Sequence, residues 1–413
     1  MTLPYNAPPW IEAVNRGLIQ GDPAYYYNGI ATAEEMYHAL IVALLAVDGD
    51  WPPDEEPPVE PPPVTPPDTG TYTHLVEITD GDTINVQSDT RYVLAPGVDR
   101  MEGGGRQHAF KSDGWIEHVL IDGVEATGYD PPQQQGVIQL ASNGNTISGR
   151  DVIMDGVNIH HNDEVGIKTR IDEVVLRNFV VSYQGRLGLS IGHGADPDAV
   201  GGLVEDGVIE WCNHERRYSP GNEAGGTKFW QSTRLVVRGV ESHSHYGPGI
   251  WADKDNIGWE VYNNHVHDVW DGAAGIFQEI GGSCHIHDNL IERCLEGGPS
   301  WLYGAGIVIG HSPDGLIENN TIRDCGNGIG LLQQDRGSGA HGAWVTRNCV
   351  VRDNTIINSG ATGAVRDTLA PDLFTTNEFY GNVYGSNPRF AWNNKWMGLA
   401  EWQTFHPQDG LSW

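Results

Sequence analysis

The sequence predicts a mainly β protein that forms a parallel β-helix, because it combines a repeat, a strand pattern and a turn-rich composition. Asn or Gly recurs at one position of a motif after 25, 25, 31 and 34 residues, and 54 of the 413 residues are Gly. Such a period indicates stacked structural repeats. Each repeat consists of a short strand, a bend, a second strand, a loop and a third strand that begins with Gly-Ile. The bend residues are Gly239, Asn264, Asn289, Asn320 and Asn354.

The bend position favours Asn because Asn tolerates the left-handed backbone conformation and its side-chain amide can bond to the next Asn, about 4.8 Å along the stack. Gly156, Asn178 and Gly207 fit the bend more loosely. The register between residues 72 and 135 stays open. Five positions after the bends lies a ladder of small residues that we expect to face the core: Cys212, Ser244, Val269, Cys294 and Cys325.

The five cysteines are predicted to be reduced and mostly buried. Their number is odd and no C-x-x-C pair occurs, so the sequence indicates neither a disulfide framework nor a zinc site built on cysteine.

Composition divides the chain into three segments. Residues 1–50 contain two helix-like stretches, and the second, TAEEMYHALIVALLAV, begins at the capping residue Thr32. Because that stretch is apolar around most of its circumference, it is expected to pack against copies of itself or a partner. Residues 51–70 carry nine prolines and predict a semi-rigid polyproline II spacer or a disordered linker. Residues 71–413 form the β-helix domain.

Charge and hydropathy exclude several partners. The formal net charge of −31 disfavours nucleic acid and anionic membrane surfaces. The longest apolar run, residues 39–47, is too short to cross a bilayer, so no membrane insertion is expected. The start lacks a basic region followed by an apolar one, and synthesis in the cytoplasm without a cleaved signal peptide is expected.

Three motifs carry a resemblance to a known family: GTKFWQSTRLVVRG, GPGIWADKDN and GIFQEIGG, together with the ending FAWNNKWMGLAEWQTFHPQDGLSW. From about Val137 onward the chain resembles the right-handed parallel β-helix family of pectate-lyase-like carbohydrate-active proteins and phage tail spikes. The resemblance implies a right-handed helix, and tail spikes imply a homotrimer. It leaves the chemistry open, because members include lyases, hydrolases, epimerases and proteins without a demonstrated reaction.

Three residues form a candidate catalytic cluster. Lys228 and Asp253 each lie eleven places before a bend residue, at Gly239 and Asn264, and Glu279 falls one place beyond the matching position of the next coil. Stacking would bring them within about 5–10 Å of one another. Two carboxylates beside an ammonium suit proton abstraction from a uronic acid or glycosidic hydrolysis. The alternative is a solvated face of an acidic protein with an ordinary surface ion pair.

Aromatic and basic residues along the same side predict a glycan-binding face, because flat rings flanked by polar groups stack on sugars. The alternative for Trp251 is packing under the loops with Phe277. The predicted binding residues are Trp251, Tyr246, Trp270, Arg216, Arg217, Tyr218, Trp301 and Tyr303.

No metal site and no cofactor are expected. Three H-x-H pairs, at 243/245, 265/267 and 285/287, occupy different positions relative to the bends and lack a carboxylate at a matched position. Asp253-x-Asp255 is a weak calcium motif. The insertion QQDRGSGAHGA (333–343) is predicted to be a flexible loop.

These features favour a phage tail spike-like or minor tail protein that is located in the virion tail and binds a host surface glycan. Two hypotheses follow for this protein: that it only binds the glycan, or that it also cleaves it. Residues 1–50 would attach it to phage tail proteins, and the β-helix would form a homotrimer. The alternatives are a free polysaccharide lyase, glycoside hydrolase or uronate epimerase that uses the Lys228, Asp253 and Glu279 cluster, and a passive adhesin-like module.

Overall fold

The described part of the chain winds into a parallel β-helix of 37 strands with two single-turn helices. Strands pair in parallel with those of the preceding and following coils, which confirms the predicted fold class. The predicted helical segment 1–50 and linker 51–70 lie outside the described residues. A computed structural model describes residues 71–412 with gaps at 141–145, 195, 273, 296–300 and 368–371.

Sheet 1 has 21 strands, and each coil contributes two successive strands to it or one long strand that spans both positions. The strand Leu235–His243, for example, pairs with both Trp259–Tyr262 and His265–Trp270. The same pairing runs through residues 72–135. The strands are β1 His74–Ile78, β3 Thr90–Leu94, β4 Met101–Glu102, β6 Ile116–Asp122, β7 Glu125–Thr127, β9 Gly149–Asp155, β10 Asn158–Asn162, β12 Ile171–Gln184, β14 Gly202–Glu210, β17 Leu235–His243, β19 Trp259–Tyr262, β20 His265–Trp270, β22 Cys284–His287, β23 Leu290–Leu295, β25 Gly315–Glu318, β26 Thr321–Arg323, β30 Val350–Arg352, β31 Thr355–Ile357, β33 Glu378–Tyr380, β34 Val383–Tyr384 and β37 Leu411–Ser412.

Two further sheets follow one another along the coil stack, and Lys228 lies between the last strand of the first and the first strand of the second. Their strands pair in parallel, except for the last strand of the second of these two sheets, which pairs antiparallel with its neighbour. Among the described residues, no helix is long and apolar enough to span a membrane. Sheet 2 contains β2 Ile84–Asn85, β5 Phe110–Lys111, β8 Gly136–Leu140, β11 Val165–Thr169, β13 Leu187–Ile191 and β15 Gly225–Thr227; sheet 3 contains β16 Phe229–Trp230, β18 Ile250–Asp253, β21 Ala274–Glu279, β24 Ala305–Gly310, β27 Asn327–Gln333, β32 Ala361–Arg366, β35 Arg389–Trp392 and β36 Lys395–Met397; β28 Ser338–Gly339 and β29 Gly342–Ala343 form a hairpin, and the helices are α1 Asp372–Thr375 and α2 Leu399–Trp402.

The third strands that begin with Gly-Ile each contribute the Ile to the core, as the pattern indicates. Ile250 pairs with Ile276, which pairs with Ile307, and all three are fully buried. The preceding Gly lies against the opposite wall of the coil. A Cβ on Gly275 would come within 2.8 Å of Cys294 Sγ, so this position has no room for a side chain.

The left-handed bend lies one residue before the row of asparagines. The pairing of Glu241 with His265 aligns Gly239 with Asn263, and both have positive φ, 61° and 54°. The expectation that Gly239 shares a row with Asn264 is therefore wrong by one residue. Gly207 keeps its place in the row of Asn264, because it pairs with Val240, whose backbone N–H donates to Asn264 Oδ1, and the left-handed bend falls on Asp206, with φ at 52°.

The buried asparagines form a continuous ladder of side-chain hydrogen bonds. Each side-chain amide Nδ2 donates to the next side-chain oxygen at 2.8–2.9 Å and also to a backbone carbonyl. The predicted ladder is confirmed and extends by two residues that the sequence did not reveal. Its members are Asn264, Asn289, Asn320, Asn354, Asn382 and, at the end, Asp409.

The five cysteines are free and buried, as predicted. The core ladder itself contains His245 where the sequence placed Ser244, because strand pairing aligns His243 with His267 and therefore His245 with Val269. Cys212 donates its backbone N–H to Nδ1 of His245 at 3.2 Å. Ser244 lies in the left-handed turn beside it, with φ at 60°.

Aromatic residues close the C-terminal end of the coil stack. Trp402 of α2 stacks on Phe390 with ring centroids 4.6 Å apart. His406 lies between Trp402 and Trp392, at 4.2 and 4.5 Å, and is 8% exposed. Burial lowers the pKa of His406 to about 4.

We predict that Asn289→Ala lowers the free energy of unfolding by about 3 kcal/mol or more, since it leaves several buried polar groups of neighbouring coils unpaired. Urea unfolding measures the change. The control is Asn85→Ala on an exposed strand end, for which less than about 0.5 kcal/mol is expected. Equal losses in the two variants would contradict a supporting role of the ladder.

We predict that His406 contributes an acid-sensitive part of the stability. Its pKa is lower in the folded chain than the unfolded value of about 6.5, so unfolding takes up a proton as the pH falls. The stabilisation is complete above pH 6.5 and is lost progressively towards pH 4. His406→Leu should flatten the pH dependence of the urea midpoint over this interval, whereas His74→Gln, at an exposed position, should leave it as in the wild type.

Candidate functional site

The structure brings the three predicted catalytic residues together. Lys228 Nζ lies 2.8 Å from Asp253 Oδ2, and Asp253 pairs with Glu279 on the neighbouring strand. The side chains are only 11–15% exposed. Arg336 completes the group, with its Nη1 2.9 Å from Glu279 Oε1. We call Lys228, Asp253, Glu279 and Arg336 the carboxylate site.

Strand pairing sets the geometry of this site differently from the predicted register. Trp230, not Lys228, pairs with Asp253, so Lys228 lies two residues earlier and beside Trp251. The Lys228 ammonium is 4.4 Å from the centroid of the Trp251 ring and reaches across to Asp253. It also lies 3.6 Å from Glu223 Oε1, in the loop that follows β14.

The two carboxylates have different environments. Burial and the nearby Asp253 raise the pKa of Glu279, although Arg336 opposes the shift. Asp253 Oδ2 bonds Lys228, while Oδ1 is buried and has no hydrogen-bond partner among the described residues. Asp253 thus forms an ion pair with an ammonium, whereas burial and Asp253 favour the protonated form of Glu279, and acid–base chemistry requires such a difference between two carboxylates.

The insertion 333–343 folds over the carboxylate site as the β28–β29 hairpin, so the predicted flexible loop is structured. Asp255 Oδ1 accepts hydrogen bonds from the backbone of Ala340 at 3.0 Å and from Trp344 Nε1 at 3.2 Å. Asp253 instead faces Lys228, so the two aspartates of the weak calcium motif serve different contacts. Arg336 was missed because nothing in the sequence shows that this insertion returns to the coil of Glu279.

Two further cations line the same face before the carboxylate site. Lys168 pairs with Ser190, which precedes Lys228 in the same row, and Arg170 lies 5.0 Å from the centroid of the Trp230 ring. Burial lowers the pKa of Lys168 to about 8 and that of Arg170 to about 10. Lys168 donates to the carbonyl of Gln134 and Arg170 to that of Thr169, and neither forms an ion pair within 4 Å of another described residue. We call them the cation pair.

Three predicted binding aromatics pack under the loops. Trp251 is 2% exposed and stacks on Phe277 with ring centroids 5.9 Å apart, so its ring cannot contact a sugar. Its role is to pack under the loops, which was the alternative to sugar binding. Trp301 and Tyr303 are half-buried against the same apolar cluster. Tyr303 lies edge-on to Phe277 at 6.5 Å.

The other predicted residues surround the loop after β14. Arg216 lies over the Tyr246 ring at 3.8 Å, and Tyr246 contacts Trp270 at 5.4 Å. The Tyr218 hydroxyl donates a hydrogen bond to Glu164, and the Arg186 guanidinium lies over the face of the Tyr218 ring. Arg217 pairs with Asp163 at 2.7 Å and with Glu215 at 2.9 Å. Tyr246, Trp270 and Tyr218 remain half-exposed.

Half-exposed rings continue this surface along successive coils. Tyr183 stacks on His161 at 4.6 Å and on Trp211 at 6.0 Å, and Trp211 lies 6.4 Å from Trp270. We call His161, Tyr183, Trp211, Trp270 and Tyr246 the aromatic row. His161, Tyr183 and Trp211 were missed, although each stands at the end of a predicted strand in successive repeats.

Comparisons with known proteins agree with the architecture. The family model described as "Right handed beta helix region" matches residues 135–302 and 270–394. No curated protein has a matching sequence. The chain is also similar to solved structures of low sequence identity. They include the mannuronan C-5 epimerase AlgE6 A-module of Azotobacter vinelandii (14% identity, 82% of this chain and 80% of that chain, TM-score 0.47), a mannuronic acid specific polysaccharide family 6 lyase from human gut microbiota (15%, 76% and 76%, 0.49) and tailspike protein 2 of an Escherichia coli O157:H7 bacteriophage (12%, 67% and 39%, 0.38).

Proposed function

The chain belongs to the right-handed β-helix family, and we propose that this member binds an acidic polysaccharide and cleaves it at the carboxylate site. The observation that carries the proposal is the buried pair of Asp253 and Glu279, held by Lys228 and Arg336. Carboxylates this close inside a protein are costly to bury, and perturbed pKa values of this kind cluster at functional sites.

The cation pair favours an acidic sugar. The protein has a net charge of −31 and only five lysines, yet Lys168 and Lys228 share a row of this face and Lys254 Nζ lies 5.9 Å from the centroid of the Trp230 ring. Arg170 is 4% exposed and forms no ion pair within 4 Å of another described residue, although the charge of Glu223 acts on it. Because a buried guanidinium is stabilised by an anion, a uronate carboxylate is the ligand that this surface would recognise.

The reaction that uses these groups is β-elimination. Asp253, in contact with the Lys228 ammonium, takes the proton from C5 of the uronate, and the C5–H electrons form the C4–C5 double bond. The C4–O4 bond breaks, and Glu279 gives its proton to the departing oxygen. The cation pair and Lys228 neutralise the uronate carboxylate, which makes the C5 proton easier to remove. No further reactant is needed.

The aromatic row supplies a binding surface for the rest of the chain. Sugar rings stack on flat aromatic faces, and Tyr183, Trp211 and Trp270 repeat along the coil axis, as the units of a polysaccharide do. A ligand can thus be held over several coils while one glycosidic bond lies at the carboxylate site. Binding in this manner does not depend on cleavage.

The biological setting we propose is that of a phage tail spike or minor tail protein that meets a host envelope glycan. Support comes from the order of segments in the sequence: an apolar stretch in residues 1–50 whose pattern predicts a helix, a Pro-rich stretch in 51–70 and the β-helix from 71. In this proposal residues 1–50 join phage tail proteins, three copies assemble, and the protein resides in the virion tail.

We predict that the full chain releases unsaturated uronides from polyuronates or from host envelope polysaccharide, detected by their ultraviolet absorbance. Asp253→Asn and Glu279→Gln should each lower kcat at least about 100-fold. The control Asp113→Asn, an exposed carboxylate, should be as active as the wild type. Activity should fall at alkaline pH as Glu279 loses its proton, and its raised pKa places this fall above the ordinary range of a Glu.

Three results would change the proposal. Saturated products would replace elimination by hydrolysis. Equal activity of Asp253→Asn and the wild type would remove the carboxylate site from the reaction. Binding without any product would leave a glycan-binding module, for which Trp211→Ala should weaken binding.

We predict that the full chain is a trimer, with light scattering giving three times the mass of 45.1 kDa. Deletion of residues 1–50 tests whether that segment contributes to assembly. A monomer at micromolar concentration would contradict the tail spike setting while leaving the reaction at the carboxylate site unaffected.

A further inference from the structure

Sheet 1 carries two clusters that each consist of one glutamate and two histidines, and neither includes a residue of the cation pair. In the first, Glu260 Oε1 lies 3.1 Å from His287 Nε2 and 3.7 Å from His285 Nδ1. In the second, Glu241 Oε1 lies 3.1 Å from His267 Nε2, and the rings of His265 and His267 are 4.2 Å apart. Within each cluster, one ligand atom from every residue lies within 4.8 Å of the others.

Strand pairing produces both clusters by one rule. Glu260 pairs with His285, and Glu241 pairs with His265, so a carboxylate of one coil faces an imidazole of the next. The second imidazole is two residues further along and shares the face of the strand. The expectation that no carboxylate matches the H-x-H pairs is therefore wrong, because the carboxylate comes from the preceding coil, 25 or 24 residues upstream.

In the first cluster, the ring nitrogen of each imidazole that does not face Glu260 contacts another carboxylate. His287 Nδ1 lies 2.7 Å from Asp288 Oδ2, and His285 Nε2 lies 2.8 Å from Glu318 Oε1. Both remaining nitrogens are therefore directed towards Glu260. Imidazoles that bind metals have this arrangement, with the second ring nitrogen bonded to a carboxylate that fixes the tautomer and ring orientation.

The second cluster repeats these contacts. His267 Nδ1 lies 2.7 Å from Asp268 Oδ2, and His265 Nε2 lies 3.2 Å from Glu292 Oε1. However, Glu241 is 47% exposed against 15% for Glu260, and Arg293 reaches within 3.3 Å of His267 Nδ1. The cationic neighbour and the greater exposure make the second cluster the weaker of the two.

We propose that these clusters bind a divalent transition metal ion, and that this ion is Zn²⁺. The cluster of Glu260, His285 and His287 is the tighter of the two sites. Two imidazoles and one carboxylate suit Zn²⁺ and exclude a preference for Ca²⁺ or Mg²⁺, which take oxygen ligands. Metal–ligand bonds of about 2.1 Å in a tetrahedron place ligand atoms about 3.4 Å apart. The distances of 3.1 and 3.7 Å in the first cluster bracket that value.

A metal at either cluster would join two successive coils, because the carboxylate and the imidazoles come from different coils. A fourth position would be open to water or to a group on another molecule. The expected role is a cross-link across the face of sheet 1, on residues that the proposed glycan chemistry does not use.

Titration calorimetry of Zn²⁺ into the chelator-treated full chain tests the proposal. We expect two equivalents, of which the tighter is lost in Glu260→Gln and the weaker in Glu241→Gln. The control Glu378→Gln removes an exposed carboxylate on the same face of sheet 1, one strand beyond Val350, and should keep both equivalents. Excess Ca²⁺ should leave Zn²⁺ bound, and Zn²⁺ should raise the melting temperature of the wild type but less that of Glu260→Gln.

Failure has clear signatures. The proposal is overturned if Zn²⁺ does not bind saturably, or if the double variant Glu241→Gln/Glu260→Gln binds as much as the wild type. Should a variant fail to fold, X-ray absorption of the zinc-loaded wild type decides: nitrogen and oxygen ligands including two imidazoles support these sites, whereas sulfur ligands point to the cysteines and contradict them.

Discussion

The side-chain ladder from Asn264 to Asp409 is the interaction on which the register of the later coils depends. A coil that slipped by one residue would turn every inward side chain outwards, and it would also break the amide bonds on both sides. Each amide of the ladder also saturates a buried backbone carbonyl at the bend. The ladder therefore fixes the angle between the two strands of each coil and the alignment of each coil with the next.

The fixed register determines what the lateral faces can do. Because residues at one position of successive coils lie about 4.8 Å apart, side chains distant in sequence become neighbours in a predictable order. Asp253 meets Glu279, and Glu260 meets His285, through the same geometry on different sheets. The coils alone thus bring each pair together, and the insertion that carries the β28–β29 hairpin adds Arg336 beside Glu279.

Much of this was available from the sequence, and the errors have physical causes. The Gly-Ile strand starts and the Asn ladder were correct because a close contact and a buried amide each restrict the residue types sharply. Gly239 was misplaced by one residue because Gly and Asn are both suitable for the left-handed bend and for the position after it. The place of His245 in the core ladder was missed because a buried histidine needs hydrogen-bond partners, and the sequence does not show that Cys212 and Ser242 provide them. Arg336 was beyond reach, since the path of an insertion is not encoded in the repeat.

The row that contains Asp253 and Glu279 continues in the next coils as Gly310, Leu332 and Val365, all buried and uncharged. The scaffold therefore has no need for charge at this position. Asp253 keeps one buried oxygen without a partner among the described residues, which costs about 1–3 kcal/mol, and Glu279 is buried beside it. Asp253 and Glu279 thus lower the stability of the fold at positions where apolar residues would fit, as residues of a binding or catalytic site often do. The hydrogen bonds of the Asn ladder offset this loss of folding free energy.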